Sequence, residues 1–250
     1  MATTSPAGPD DPMPRSLALA PHVRACRVDD QVILLDLIHG RYHGVAGPQV
    51  DALAEFVHGW PAAPQAAVPP RVISLQPQSA APLIRRGLVV PGHGRPIAVE
   101  RLPEPAVAIE GWGESSAQGF GARSWLHLIA GASRSAFQLR TCTLERIART
   151  VAFRRLVHAG PGAESVNPER LQSTVSAYRR ARPIVMTSKD RCLLDSLALI
   201  QFLAAERLFA HWVIGVKTRP FGAHAWVQLG ALVLNDRLER VRRFTPILVA

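Results

Sequence analysis

Polar residues thin out between Cys192 and Leu203, where only Asp195, Ser196 and Gln201 interrupt an otherwise apolar run. Such a segment predicts a helix buried on most of its sides. Runs rich in β-branched and aromatic residues follow at 211–217 and 223–236, and they predict three strands, the last two paired as a hairpin. With Leu229-Gly230-Ala231 as the loop and Gly230 taking the positive φ of a three-residue hairpin, Gln228 stands opposite Leu232, Trp226 opposite Leu234 and His224 opposite Asp236.

Upstream the pattern is different. Residues 1 to 20 are rich in Pro, Ala, Ser and Asp, too polar to offset chain entropy by burial, and predict a disordered tail. Val23–Val28, Gln31–Asp36 and Arg41–Val45, separated by Asp29-Asp30 and His39-Gly40, predict a three-stranded meander. Apolar residues at 50, 53, 54 and 57 predict a helix that Gly59 ends. A Pro/Ala linker spans 61–70, and 82–90 reads as a short helix running into a strand. Residues 93–122, rich in Gly and Pro, read as a second linker. Apolar positions from Trp125 to Leu156 predict two helices whose arginines, among them Arg140, Arg146, Arg149, Arg154 and Arg155, form a solvated face. Asn167 and Pro168 are an N-cap and first-turn proline for a helix through Arg180 that Pro183 stops.

Composition changes this picture in two respects. The 250 residues, 48% hydrophobic, suffice for a sizeable core, and the pattern favours two domains. Lys and Arg number 29 against 19 Asp and Glu, which gives the sign of a partner and not its identity. No zinc spacing or nucleic-acid fingerprint accompanies that charge. The three cysteines, Cys26, Cys142 and Cys192, are too few and too scattered for a disulfide framework or a thiolate metal site. With no signal peptide and no apolar span, the expected location is cytoplasmic, without membrane insertion.

The candidate chemistry sits in the C-terminal third. Cys192 falls in the first turn of its helix, where the N-terminal partial charge favours a thiolate. Directly opposite strand residues hold their Cβ atoms roughly 5 Å apart, so the Asp236 carboxylate can orient the His224 imidazole for Cys192. Nucleophile, base and orienter in this order suit covalent acyl chemistry. Cys26 and Cys142 lack such company and read as packing residues. Most histidines, His211 among them, likewise read as surface or packing.

The order Cys, His, Asp resembles transglutaminase-like and papain-like thiol enzymes. Cys192–Leu199, Gly215-Val216, Pro220–Val227 and Leu234–Asp236, four pieces in order, resemble more closely the B protein of lasso peptide biosynthesis, the leader peptidase. Gln228 departs from that family's usual Glu. The N-terminal meander and helices resemble the winged-helix-like precursor-recognition element fused to such proteins.

The resemblance implies an α+β fold divided into a tail at 1–20, a winged-helix-like recognition domain at 21–92, a linker at 93–122 and a cysteine peptidase domain at 123–250. It implies Cys192, His224 and Asp236 as the triad, and a leader peptide added as a strand to the meander edge, with Tyr42 and Val45 as candidate leader contacts. The implied partners are the lasso precursor and an asparagine synthetase-like cyclase. No cofactor is expected on this chain, and any ATP requirement would enter through the cyclase. The alternatives are an acyltransferase that uses the same triad on an amine acceptor, and a non-catalytic peptide scaffold.

Overall fold

The computed structural model describes residues 16–61, 80–92, 100–109, 121–158, 167–186 and 192–250. The chain divides into two compact units, one made of residues 1–34 and 44–98 and the other of 35–43 and 99–250. Most of the expected tail, nearly all of the 61–70 linker and Asp190, a candidate cap for the helix that Cys192 opens, lie outside the described residues.

The first unit carries β1 (Leu17–Leu19), β2 (Val23–Val28), most of β3 (Gln31–Asp36), half of β4 (Arg41–Ala46), α1 (Gln49–Ala54), β5 (Val57–His58), α2 (Ala81–Arg85) and β6 (Val89–Pro91). The expected meander is present as a sheet in the order β2-β3-β4. Its turns use the residues read from the sequence, Asp29 at φ 53 and Gly40 at φ 64. Asp36 shapes the second turn by accepting the Ile38 and His39 N–H groups at 2.9 and 3.1 Å.

A second small sheet was not expected. β1 runs between β5, parallel to it, and β6, antiparallel, so residues 17–19 are ordered strand and not tail. Leu17 and Ala18 are buried, and burial of this short apolar patch offsets the chain entropy that composition alone assigns to the segment. The same pairing explains why α1 stops at Ala54: Val57, expected on the helix, is taken into β5. The core of this unit gathers Leu17, Val32, Leu34, Val45, Leu53, Trp60, Leu83 and Leu88.

The second unit is built on a five-stranded sheet of β7 (Val107–Ala108), β8 (His211–Thr218), β9 (Phe221–Leu229), β10 (Leu232–Val233) and β11 (Thr245–Val249), in the order β11-β8-β9-β10-β7. Its helices are α3 (Ala122–Thr141), α4 (Leu144–His158), α5 (Pro168–Val185), α6 (Cys192–Ala205) and the short α7 (Leu238–Val241). β7 arises within the stretch expected as a linker and pairs in parallel with β10. α5 runs past Pro183 to Val185, because the proline removes one N–H donor near the end of the helix, where the remaining turn still closes through Met186 N–H to Arg182 O at 2.8 Å.

α6 is buried from Asp195 through Leu203, as its composition predicts. It packs on the sheet through Ser196, whose Oγ accepts the Trp212 indole N–H at 2.8 Å. Against α3 it approaches closely enough that a Cβ on Gly131 would lie 3.4 Å from Gln201 Cβ. On α3 and α4, Leu128, Ile147 and Val151 are buried while Leu126, Ile129, Phe137 and Leu156 are exposed. The arginine face is less solvated than expected at its end: Arg154 donates to Gln201 Oε1 at 2.8 Å and Arg155 pairs with Glu100. No described helix is long and apolar enough to cross a membrane.

Gly215 pairs directly with His224 across β8 and β9, and its missing side chain makes room for the Trp226 ring. A Cβ there would lie 2.7 Å from two ring atoms and 3.0 Å from Phe244 Cβ. Gly215→Ala is therefore expected to overpack the sheet by about 1–3 kcal/mol, measurable as a fall in the thermal unfolding midpoint.

Candidate active site

The hairpin that brings His224 and Asp236 together differs from the expected one by a residue. Leu229 pairs with Leu232 and Gln228 with Val233, leaving a two-residue loop, Gly230-Ala231, in which Gly230 does take a positive φ, 54°. A one-residue shift reverses which face a strand residue occupies, and continued pairing would carry Asp236 away from His224. The strand instead ends at Val233, and the chain bends at 234–236. Asp236 comes back to His224 from that bend, with its Oδ2 hydrogen-bonded to His224 Nε2. Face-to-face strand pairing, the reason given for the contact, is thus replaced by a bend that reaches the same partner.

Cys192 opens α6 as expected and is half-buried. Its sulfur is hydrogen-bonded by the His224 side chain and by the backbone N–H groups of Ala225 and Leu193. Since Nε2 of the imidazole faces Asp236, the other ring nitrogen is the one left for Cys192. Burial by itself raises the thiol pKa, and the hydrogen bonds and charge of His224 bring it below the ordinary value. Burial likewise lowers His224, but the Asp236 hydrogen bond, then Cys192, outweigh it and raise the imidazole to about 9. Asp236 is pulled below the usual carboxylate range because its bonds to His224 and the Arg237 N–H (2.8 Å) overcome its own burial. These directions favour a thiolate beside an imidazolium beside a carboxylate.

Packing fixes the ring. His224 is 4% exposed, stacked on Trp226 with centroids 6.3 Å apart and tilted against Phe244 at 5.2 Å. Trp226 is held in turn by its indole N–H to Gln228 Oε1 at 2.9 Å. The Gln228 amide donates to Gly230 O at 2.7 Å and Pro103 O at 2.9 Å, so this side chain is fully engaged inward. Buried at 2%, it offers no surface to a substrate. Two carbonyls as neighbours suit an amide donor and not a carboxylate, which accounts for Gln at this position.

The remaining predicted residues separate. Tyr42 lies in the second unit, half-buried, with its ring edge on Phe221 at 5.6 Å and 62°. Burial and then the Cys192 charge push its phenol up to about 12, which puts Tyr42 in the electrostatic neighbourhood of the nucleophile. Val45 is buried at 7% in the core of the first unit, so its side chain is a packing group and not the peptide contact expected for it. Cys26 is buried, with its thiol raised to about 12, in keeping with a packing role. Cys142 caps the end of α3 half-exposed.

Sequence reading missed Asp195. Read as a polar break in α6, it is 8% exposed and bound to three side chains, Arg182, Tyr178 and Asn235. The signal was present, because an acid inside an apolar helix needs partners to be stable there. Among the described residues no group of three His, Cys, Asp or Glu is placed to hold a metal ion.

A family model described as the transglutaminase-like superfamily matches residues 135–249. Over 48 residues the chain is 48% identical to the microcin J25-processing protein McjB of Escherichia coli, a match covering 19% of this chain and 23% of that protein. The chain thus aligns with about a quarter of that relative's length. Both findings support the lasso B-protein resemblance read from the motifs. No solved structure matches the chain.

The paired shifts make a testable statement about stability. A histidine raised from 6.5 to about 9 adds stability that is fully present below 6.5 and lost as pH rises to about 9. Cys192, lowered from 9.0, acts in the opposite sense, adding stability above 9.0 that is lost as pH falls through its folded value. The two effects have opposite slopes, the His224 contribution falling with pH up to about 9 and the Cys192 contribution rising with pH up to 9.0, so each offsets part of the other. In Cys192→Ala the cysteine effect is gone and the part of the histidine effect that comes from Asp236 remains. Chemical denaturation across this window should therefore show stability falling more steeply with pH in Cys192→Ala than in the parent chain; equal slopes would exclude the ion pair.

Proposed function

We propose that this chain, whose residues 135–249 form a transglutaminase-like domain, is the leader peptidase of a lasso peptide pathway. The observation that carries the reading is the contact sequence Cys192–His224–Asp236, built from the segments that resemble the B-protein motifs. The short match to a microcin-processing protein supports the same substrate class.

In this reading the thiolate of Cys192 attacks the carbonyl at the leader–core junction, forming a tetrahedral oxyanion. The intermediate collapses to a thioester as the C–N bond breaks, and the His224 imidazolium gives its proton to the leaving amine of the core peptide. Neutral His224 then takes a proton from water, whose oxygen attacks the thioester; collapse releases the leader as a carboxylic acid and restores the thiolate and the imidazolium. Asp236 keeps the imidazole oriented and favours its cationic form. The Cys192 backbone N–H, at a helix start with no helical partner, is our candidate oxyanion donor. An imidazole already protonated at neutral pH makes His224 first the acid of the cycle and only afterwards the base.

The first unit, with its meander edge at β4, is our candidate for holding the leader by strand addition, and Tyr42 is retained as a contact near the nucleophile. By resemblance to the lasso B proteins, an asparagine synthetase-like cyclase that takes the freed amine is our candidate partner, and any ATP demand belongs to that step.

The test is to incubate the purified chain with a candidate lasso precursor peptide from its own gene neighbourhood, with and without a cyclase, and to read the masses. We expect a single cut that disappears in Cys192→Ala, a loss of at least about 10³-fold in rate. Amide products with an added amine would point to acyl transfer. Tight precursor binding without any cut would leave a recognition scaffold.

A further inference from the structure

Past Val233 the hairpin no longer pairs as strand. Leu234 N–H still reaches Val227 O at 2.9 Å, and the chain then bends. Sheet hydrogen bonding therefore does not determine where Asp236 sits, although a carboxylate that orients an imidazole must be held closely.

Asn235 supplies the missing constraint on both sides. Its Oδ1 accepts the Val227 N–H at 2.8 Å, the β9 amide that a continuing strand's carbonyl would otherwise take. Its Nδ2 donates to Asp195 Oδ2 at 3.3 Å. Asp195 is one turn along α6 from Cys192, so the amide ties the nucleophile's helix to the residue preceding Asp236. The far end of this tie is itself immobilised. Asp195 Oδ1 lies 2.7 Å from Arg182 Nε and accepts the Tyr178 hydroxyl at 3.2 Å, while that hydroxyl also reaches Asp195 O at 3.1 Å. Tyr178 is fully buried.

The placement of Asp195 is costly in itself. Burial raises its pKa, as does the nearby Asp236 charge, against the Arg182 charge and the hydrogen bonds of Asn235 and Tyr178. A helix that needed only to pack would carry an apolar residue there, since removing a buried charge cluster in favour of apolar groups is often neutral or stabilising. A second acid beside the one that orients His224 has a reason if its hydrogen bond, and not its charge, is what the site uses.

We infer that Asp195 and Asn235 are positioning residues, a polar strut from the Cys192 helix to the bend that holds Asp236 against His224. The inference rests on the proposed roles of Cys192, His224 and Asp236. Without the strut, Asp236 withdraws from the imidazole, the imidazolium is less favoured and the thiolate loses its cation. The charged and titratable groups facing this cluster are Cys192 and Asp236 around His224, Arg240 beside Asp236, Arg182 and Tyr178 beside Asp195, and Tyr42 beside Cys192. Lys217 sits over the Phe244 ring that packs on His224. Asn235→Ala alters the charge of none of them.

The experiment is the pH dependence of iodoacetamide alkylation at Cys192, located by mass spectrometry on the full chain and independent of any peptide substrate. In the parent chain the midpoint should lie below that of an ordinary thiol. In Asn235→Ala it should move up by about one pH unit, with a fall of several-fold in peptide cleavage near neutral pH. Asn235→Ser, too short to reach Asp195, carries the test if the alanine variant does not fold. A folded variant whose alkylation profile superimposes on the parent's, whatever its thermal stability, overturns the strut. An ordinary midpoint in the parent chain overturns the thiolate–imidazolium reading itself, and the strut with it.

Discussion

A histidine that is 4% exposed is ordinarily neutral, because burial penalises the charged ring. In this chain the ring is nonetheless protonated at neutral pH, since the Asp236 carboxylate and the Cys192 sulfur together outweigh that penalty. Everything around the site follows from keeping those two partners in contact with a ring that cannot move. Trp226 and Phe244 hold its faces, Gly215 vacates the space that Trp226 fills, and Gln228 locks the Trp226 indole to the hairpin turn.

The three groups come from unlike local structures: a helix start, the middle of a strand and a bend. The first two are held by regular hydrogen bonding and a deep core. The third is not, and the polar side chains concentrate around it. Asn235, Asp195, Tyr178 and Arg182 are all engaged there, in a region where an unpaired carboxylate or amide would cost several kcal/mol.

The first unit obeys a different economy of interactions. Its core is almost wholly apolar, two three-stranded sheets share it, and its polar contacts include the Trp60 indole N–H on Val50 O and the Arg27–Asp51 pair. The β3–β4 turn end, with Tyr42, groups with the second unit, so a residue read as a surface contact stands where the Cys192 charge acts on it.

Local pattern sufficed wherever an element is determined by its own residues. The buried α6 helix, the β2-β3-β4 meander, the Asn167 cap of α5 and the β8–β9 strands all follow from periodicity and turn chemistry, and the motif spacing singled out Cys192, His224 and Asp236. Wherever a partner distant in sequence decides, the pattern was insufficient. Residues 17–19 became strand because β5 and β6 flank them, and Val107-Ala108 left the expected linker because β10 had an open edge. Asp195 reads as a flaw in a helix until Tyr178, Arg182 and Asn235 are seen around it. Even the His224–Asp236 contact was foreseen through the wrong geometry, because a one-residue change in hairpin register is invisible to composition. The sequence by itself determined which residues meet; how they meet was decided by the bend after Val233 and the buried hydrogen bonds that hold it, which exist only once α5, α6 and the hairpin are packed together.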